Sequence, residues 1–240
     1  MKKLFMVFAV FGFVAVSAQY VVAQDLAASA DQPIHQQLKT QFIAGGPEFM
    51  SVILLCLILG LALAIERIVY LSLATTNSKK LLGNVEEALA QGGVEAAKDI
   101  CRNTKGPVAS IFYQGLSRMD QGIEVVEKSI VSYGSVQMSQ LEKGLSWIQL
   151  FIAVAPMLGF LGTVVGMVVA FDNIAKVGDI SPNIVADGMK IALITTVGGL
   201  VVAIILQFFY NFLVSKIDSI VVDMEDASIS MIDILVKSEK

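Results

Sequence analysis

Hydrophobic residues follow two alternating patterns along this chain. Unbroken apolar runs occupy residues 49–71, 147–171 and 191–214, while elsewhere apolar residues return every third or fourth position among charged ones. A run of about 20 apolar residues crosses the hydrocarbon of a bilayer as a helix, so the three runs predict three membrane-spanning helices. The periodic stretches predict amphipathic helices. Within residues 72–146, Leu81, Leu82, Val85 and Leu89 form one stripe, ended by Gly92-Gly93. Val108, Ile111, Phe112 and Leu116 form a second, opened by Gly106-Pro107. Val126, Ile130, Met138, Leu141 and Leu145 form a third, and with no stop signal before Trp147 this helix is expected to run on into the bilayer.

The flanks of these runs give boundaries and direction. Met1-Lys2-Lys3, an apolar core and Val-Val-Ala before Gln24 read as a signal peptide over residues 1–23; an uncleaved helix, the alternative, leaves the topology unchanged. Residues 24–48 are polar and broken by Pro33, Gly45, Gly46 and Pro47, a periplasmic segment with room for a short interfacial helix. The first membrane helix, residues 49–71, ends in Glu66-Arg67, with Lys79 and Lys80 beyond. The positive-inside rule puts that end in the cytoplasm. Adjacent residues on a helix point in different directions, so Glu66 and Arg67 are expected to anchor the interface rather than to form a buried ion pair. The cytoplasmic helical region, residues 72–146, leads outward through the second membrane helix, residues 147–171, to a periplasmic link over 172–181. Ser181-Pro182 then caps a third membrane helix, residues 182–214. Ile217, Ile220, Val221, Met224, Met231 and Leu235 continue the period through residues 215–240, a cytoplasmic helix packing on the loop helices. The fold class is an all-α membrane protein: three transmembrane helices after a signal peptide, with long helices extending into a cytoplasmic helical region. The mature N-terminus is expected in the periplasm and the C-terminus in the cytoplasm.

Composition narrows the function. A chain that is 55% hydrophobic and 16% charged, with mean hydropathy +0.73, is no ordinary soluble domain. A net charge of -4 and a single His35 leave no basic patch for nucleic acid. Cys56 and Cys101 have neither the spacing nor the context of a disulfide or a metal site. No nucleophile with a base, no metal cluster and no phosphate loop is present, so neither an enzyme nor a cofactor is expected.

The polar groups at membrane depth are few. On the second helix Gly159, Thr163, Gly166 and Ala170 share a face, with Gly162 and Gly166 as a small-x-x-x-small pair beside it. On the third stand Thr195, Thr196, Gln207 and Asn211, with Thr196 and Gln207 on one face. A self-sufficient proton relay needs an intramembrane acid or base, and the core of these helices holds none. A titratable group would come from a partner helix inside a glycine- and hydroxyl-lined ring. The competing reading is a non-conducting scaffold, because membrane threonines often satisfy their own helix carbonyls and small residues often serve packing alone.

The stretch A-P-M-L-G-F-L-G-T-V-V-G-M from Ala155 to Met167, A-L-I-T-T-V-G-G-L from Ala192 to Leu200, and Glu66-Arg67 together resemble the MotA/TolQ/ExbB family of proton-channel subunits, most nearly its ExbB type. The resemblance implies a homo-oligomeric ring, a pentamer in better-understood members. Its second and third helices would surround a dimer of ExbD- or TolR-like single-span subunits that carry the missing aspartate. It implies a bacterial inner-membrane location, protons as coupling ion, and force delivered to a TonB-like protein for outer-membrane transport. By motif position Thr163 and Thr196, with Thr195, line the ion pathway, and Pro156, Gly159, Gly162, Gly166 and Gly199 shape the helices. One position departs from the pattern: Ile191 stands where many members have an acid, with Asp187 and Lys190 nearby as candidates for the outer mouth or as a simple interface pair. A TolQ-like role in envelope maintenance, a MotA-like stator role and sodium as the ion remain alternatives.

Overall fold

The computed structural model describes residues 33–178 and 182–238; the signal peptide over 1–23 lies outside them. The described residues are all-helical: α1 (Ile34–Ala44), α2 (Pro47–Ala74), α3 (Ser78–Asn103), α4 (Pro107–Leu116), a 3₁₀ turn (Met119–Gln121), α5 (Ile123–Glu142), α6 (Leu145–Val177) and α7 (Pro182–Ser238). Among the described residues, three helical stretches, containing α2, α6 and α7, are long and apolar enough to cross a membrane. The polar segment ahead of the first crossing holds the short helix α1.

Local chemistry sets most of these boundaries. Pro47 and Pro107 each stand in a first helical turn, where the missing N–H costs nothing. Gly46 and Gly106 before them adopt positive φ, +82° and +125°. Asn77 caps α3 by accepting a hydrogen bond from the Lys80 amide at 3.1 Å. Gly93, at φ +71°, breaks the helical geometry inside α3 where the leucine stripe ends.

One expectation changes. The third cytoplasmic helix does not run unbroken into the membrane, because the chain turns through Lys143 and Gly144, the latter left-handed at φ +88°. A Cβ on Gly144 would stand 3.4 Å from Arg67 Nε, so the glycine leaves room for the end of α2 to pack there. Glu66 and Arg67 meet at the helix end without forming a buried pair: Arg67 Nε donates to the exposed Glu66 Oε2 at 2.9 Å. The guanidinium, 4.9 Å above the Tyr70 ring, is held in the joint while Glu66 stays exposed. Long side chains curl back along the helix end, which the directions of their Cβ atoms do not reveal. Beyond Phe171 the helix continues six residues to Val177 and stops at Gly178, φ +75°.

α7 is 57 residues long, about 85 Å at 1.5 Å per residue. Its membrane half pairs along its length with α6, and α2 lies against both. Its other half forms a bundle with α3, α4 and α5 around Leu71, Val85, Ile111, Phe112, Ile130, Ile217, Met224, Met231 and Leu235. Burying each such side chain contributes roughly 1.5–3 kcal/mol. A bundle so built fixes the α6–α7 pair rigidly at one end.

Candidate functional site

The α6–α7 contact is made of residues with little or no side chain. A Cβ on Gly159 would lie 2.8 Å from the Thr195 carbonyl oxygen, one on Gly199 2.5 Å from that of Ala155, and one on Gly166 3.3 Å from that of Gly188. Ala170 and Gly188 close the end of the pair away from the helical bundle. Backbone therefore meets backbone, the geometry small residues permit in membranes.

That approach places the three threonines differently. Thr195 is fully buried, wedged where a Cβ on Gly162 would stand 2.6 Å from its hydroxyl, and it donates to the Ala192 carbonyl at 2.8 Å. Thr196, half-buried, donates across the interface to the Gly159 carbonyl at 3.3 Å. Thr163, also half-buried, donates to the Phe160 carbonyl at 2.6 Å. Thr163 and Thr196 thus border the contact, while Thr195 sits inside it.

Helix periodicity shows which border. With about 100° per residue, Thr163 lies roughly 60° from Gly166 around α6, and Thr196 roughly 60° from Gly199 around α7. Because the helices are antiparallel, these offsets turn both threonines to the same edge of the pair. α2 packs elsewhere: Met50 approaches Gly198, which lies about 160° from Thr196, and Ile53, Cys56, Ala155, Val202 and Leu206 form a common cluster. The threonine edge is left without cover from α2.

The chemistry of the edge follows from its protons. Each hydroxyl hydrogen is spent on a carbonyl, so both oxygens offer only lone pairs outward. Such an edge can accept a hydrogen bond from a protonated carboxyl or solvate a cation. Pro156, half-buried within α6, lies one heptad from Thr163 on this side. No group of three or more His, Cys, Asp or Glu able to hold a metal occurs among the described residues.

Asp187 and Lys190 are both exposed in the opening turns of α7 and form no ion pair with each other. They lie about 180° and 120° from Thr196, off the threonine edge. Ile191 is placed at the α1–α2 junction, its Cγ2 3.9 Å from where a Cβ on Gly46 would stand. One polar residue escaped the sequence reading: Gln149, exposed in the first turns of α6. Its signal was an amide two residues inside the apolar run that begins at Trp147.

An antiparallel pair of glycine-faced membrane helices, carrying one hydroxyl-bearing edge and a soluble helical bundle, defines a multi-pass membrane subunit shaped for packing against other helices. Comparison with known proteins identifies which. The description of the MotA/TolQ/ExbB proton channel family matches residues 103–226, which include α4 to α6 and most of α7, and the chain belongs to that family. An ExbB homolog from Methanothermobacter thermautotrophicus is 35% identical over 163 residues, 67% of this chain and 57% of its own length. The biopolymer transport protein exbB1 of Vibrio cholerae is 28% identical over 179 residues, 70% of this chain and 74% of its own. The biopolymer transport protein ExbB of Aquifex aeolicus is 38% identical over 91 residues, 36% of this chain and 62% of its own.

Proposed function

We propose that this chain is the ring-forming subunit of an ExbB-type motor in the bacterial inner membrane, with its C-terminus in the cytoplasm. Copies of it, five in number, surround the single membrane helices of an ExbD-like dimer. A carboxyl on that partner picks up a proton, meets the lone pairs of Thr163 and Thr196, and releases the proton on the other side. One charge falling through 100 mV supplies about 2.3 kcal/mol, enough to bias rotation of one component within the other. The work is passed to a TonB-like protein for outer-membrane transport. Asp187 and Lys190, off the threonine edge, would act only at the outer mouth.

The observation that carries this reading is a half-buried hydroxyl edge, left uncovered by α2, on two membrane helices whose apolar spans, 147–171 and 191–215, hold no Asp, Glu, Lys, Arg or His. Such an edge faces a polar partner more favourably than lipid, and the titratable group must then belong to that partner. The test is co-purification in detergent with candidate single-span, aspartate-bearing proteins, followed by native mass measurement. Five copies holding two of the partner are expected. A stable assembly that never retains such a partner would favour the scaffold. Replacing proton by sodium gradients decides the ion, with protons expected to drive the motor.

A further inference from the structure

The threonine edge does not end at the threonines. Toward the cytoplasmic bundle it becomes a row of carboxamides. Gln207 and Asn211 are exposed on α7, and Gln207 Nε2 donates to Asn211 Oδ1 at 3.2 Å. They lie about 20° and 60° around the helix from Thr196. Nine residues separate Gln207 from Lys216, the first charge beyond the span, which sets this amide about 13 Å within the membrane. Ala203, between Thr196 and Gln207 on the same line, is only a methyl.

The facing helix supplies a third amide. Ala155 meets Gly199, Gly159 meets Thr196 and Gly166 meets Ala192, so each step along α6 is matched by a step the other way along α7. Continued, that register brings Gln149 level with residues 205–209. Gln149 is exposed and lies about 40° from Thr163, on the same edge. The opposite half of the edge differs: its corresponding positions are Met167, Ile174, Val185 and Met189. Polarity is confined to one side of the threonines.

Three carboxamides per chain inside a hydrocarbon span are costly against lipid but suit water. We propose that Gln149, Gln207 and Asn211 line a water-filled exit through which the proton leaves the threonines for the cytoplasm, ending at exposed Asp218 and Glu225 one and two heptads beyond Asn211. This rests on the proton-pathway reading above. The amides do not titrate. They hold and orient water, and each hop breaks one O–H bond in a donor water and makes one in its acceptor, leaving the side chains unchanged. The apolar outer half has no such wetting, so water reaches the threonines from one side only.

The test uses the assembled complex in vesicles loaded with a pH-sensitive dye under an imposed proton gradient. The combined Gln149→Leu, Gln207→Leu and Asn211→Leu variant is expected to conduct at least about tenfold more slowly, as apolar constrictions dewet, with native mass unchanged. Exchanging amide for amide, Gln207→Asn with Asn211→Gln, is expected to retain flux. Leucine-variant flux equal to that of the unaltered complex overturns the proposal. Thr196→Val in the same vesicles separates the two readings: if it stops flux while the leucine variant conducts, only the exit is wrong. Should the leucine variant fail to assemble, Gln207→Cys decides. It is expected to react with a charged, membrane-impermeant thiol reagent added on the Lys216 side, against buried Cys56 and Cys101, and no reaction overturns the exit.

Discussion

Adjacent threonines of one residue type have different fates here because helix geometry turns neighbours about 100° apart. Thr195 spends its hydroxyl within its own helix and is buried against Gly162; Thr196 reaches across to Gly159. Thr196→Val is therefore expected to abolish energised uptake in a dependent strain. Thr195→Val, nearly isosteric, should keep uptake and cost only about 1 kcal/mol of a buried hydrogen bond, read as a small drop in the thermal midpoint of the purified complex. Equal effects from the two would remove the distinction. Cys101 carries a second residue-scale prediction. Burial in the helical bundle pushes its thiol from 9.0 up to about 11. The folded state holds the proton that the unfolded state gives up, so this contribution is intact below pH 9 and is lost as pH rises toward 11. Stability between those values should fall more steeply for the unaltered chain than for Cys101→Ala. Alkylation at pH 8 should be slow until the bundle unfolds.

At the scale of elements, glycine has opposite meanings along the chain. Gly199 exists for proximity: an added Cβ would stand 2.5 Å from the Ala155 carbonyl oxygen, so Gly199→Ala must push α6 and α7 apart, and overpacking of this kind costs about 1–3 kcal/mol. Loss of the assembled ring on size-exclusion is the expected outcome. Gly83, on the exposed face of α3, has nothing within 4 Å of its added Cβ, and Gly83→Ala should instead stabilise by about 0.5–1 kcal/mol. Gly144 belongs to neither class. Its φ of +88° makes the turn from α5 into α6, so Gly144→Ala should cost roughly 1–2 kcal/mol and crowd Arg67. Circular dichroism melting ranks all three. Helix existence was legible at this scale, since apolar runs and the 3.6-residue period are written in the chain, as were the Gly106-Pro107 and Pro182 starts; Pro47, read as a breaker of the polar segment, instead stands in the first turn of α2. The Gly144 interruption was not: a lone glycine in a helical pattern is tolerated in many helices, and only the packing of Arg67 against it required a break.

For the whole molecule, the decisive arrangement is that α2 packs on one side of the α6–α7 pair and leaves the other side, bearing Thr163 and Thr196, uncovered. The chain's own sequence determined that it is a three-span helical membrane protein with an amphipathic helical bundle, because transfer to hydrocarbon and helical periodicity depend on residue type and spacing alone. It determined equally that the spans 147–171 and 191–215 hold no Asp, Glu, Lys, Arg or His, because that is a matter of residue type alone. Tertiary structure alone decided which of two neighbouring threonines is wedged shut against Gly162, that α2 leaves the edge bearing Thr163 and Thr196 uncovered, and that Gln149 on α6 stands level with residues 205–209 of α7. Each of these depends on the register and facing of helices distant in sequence, and glycine-mediated backbone contact sets that register through shape, which no local pattern encodes.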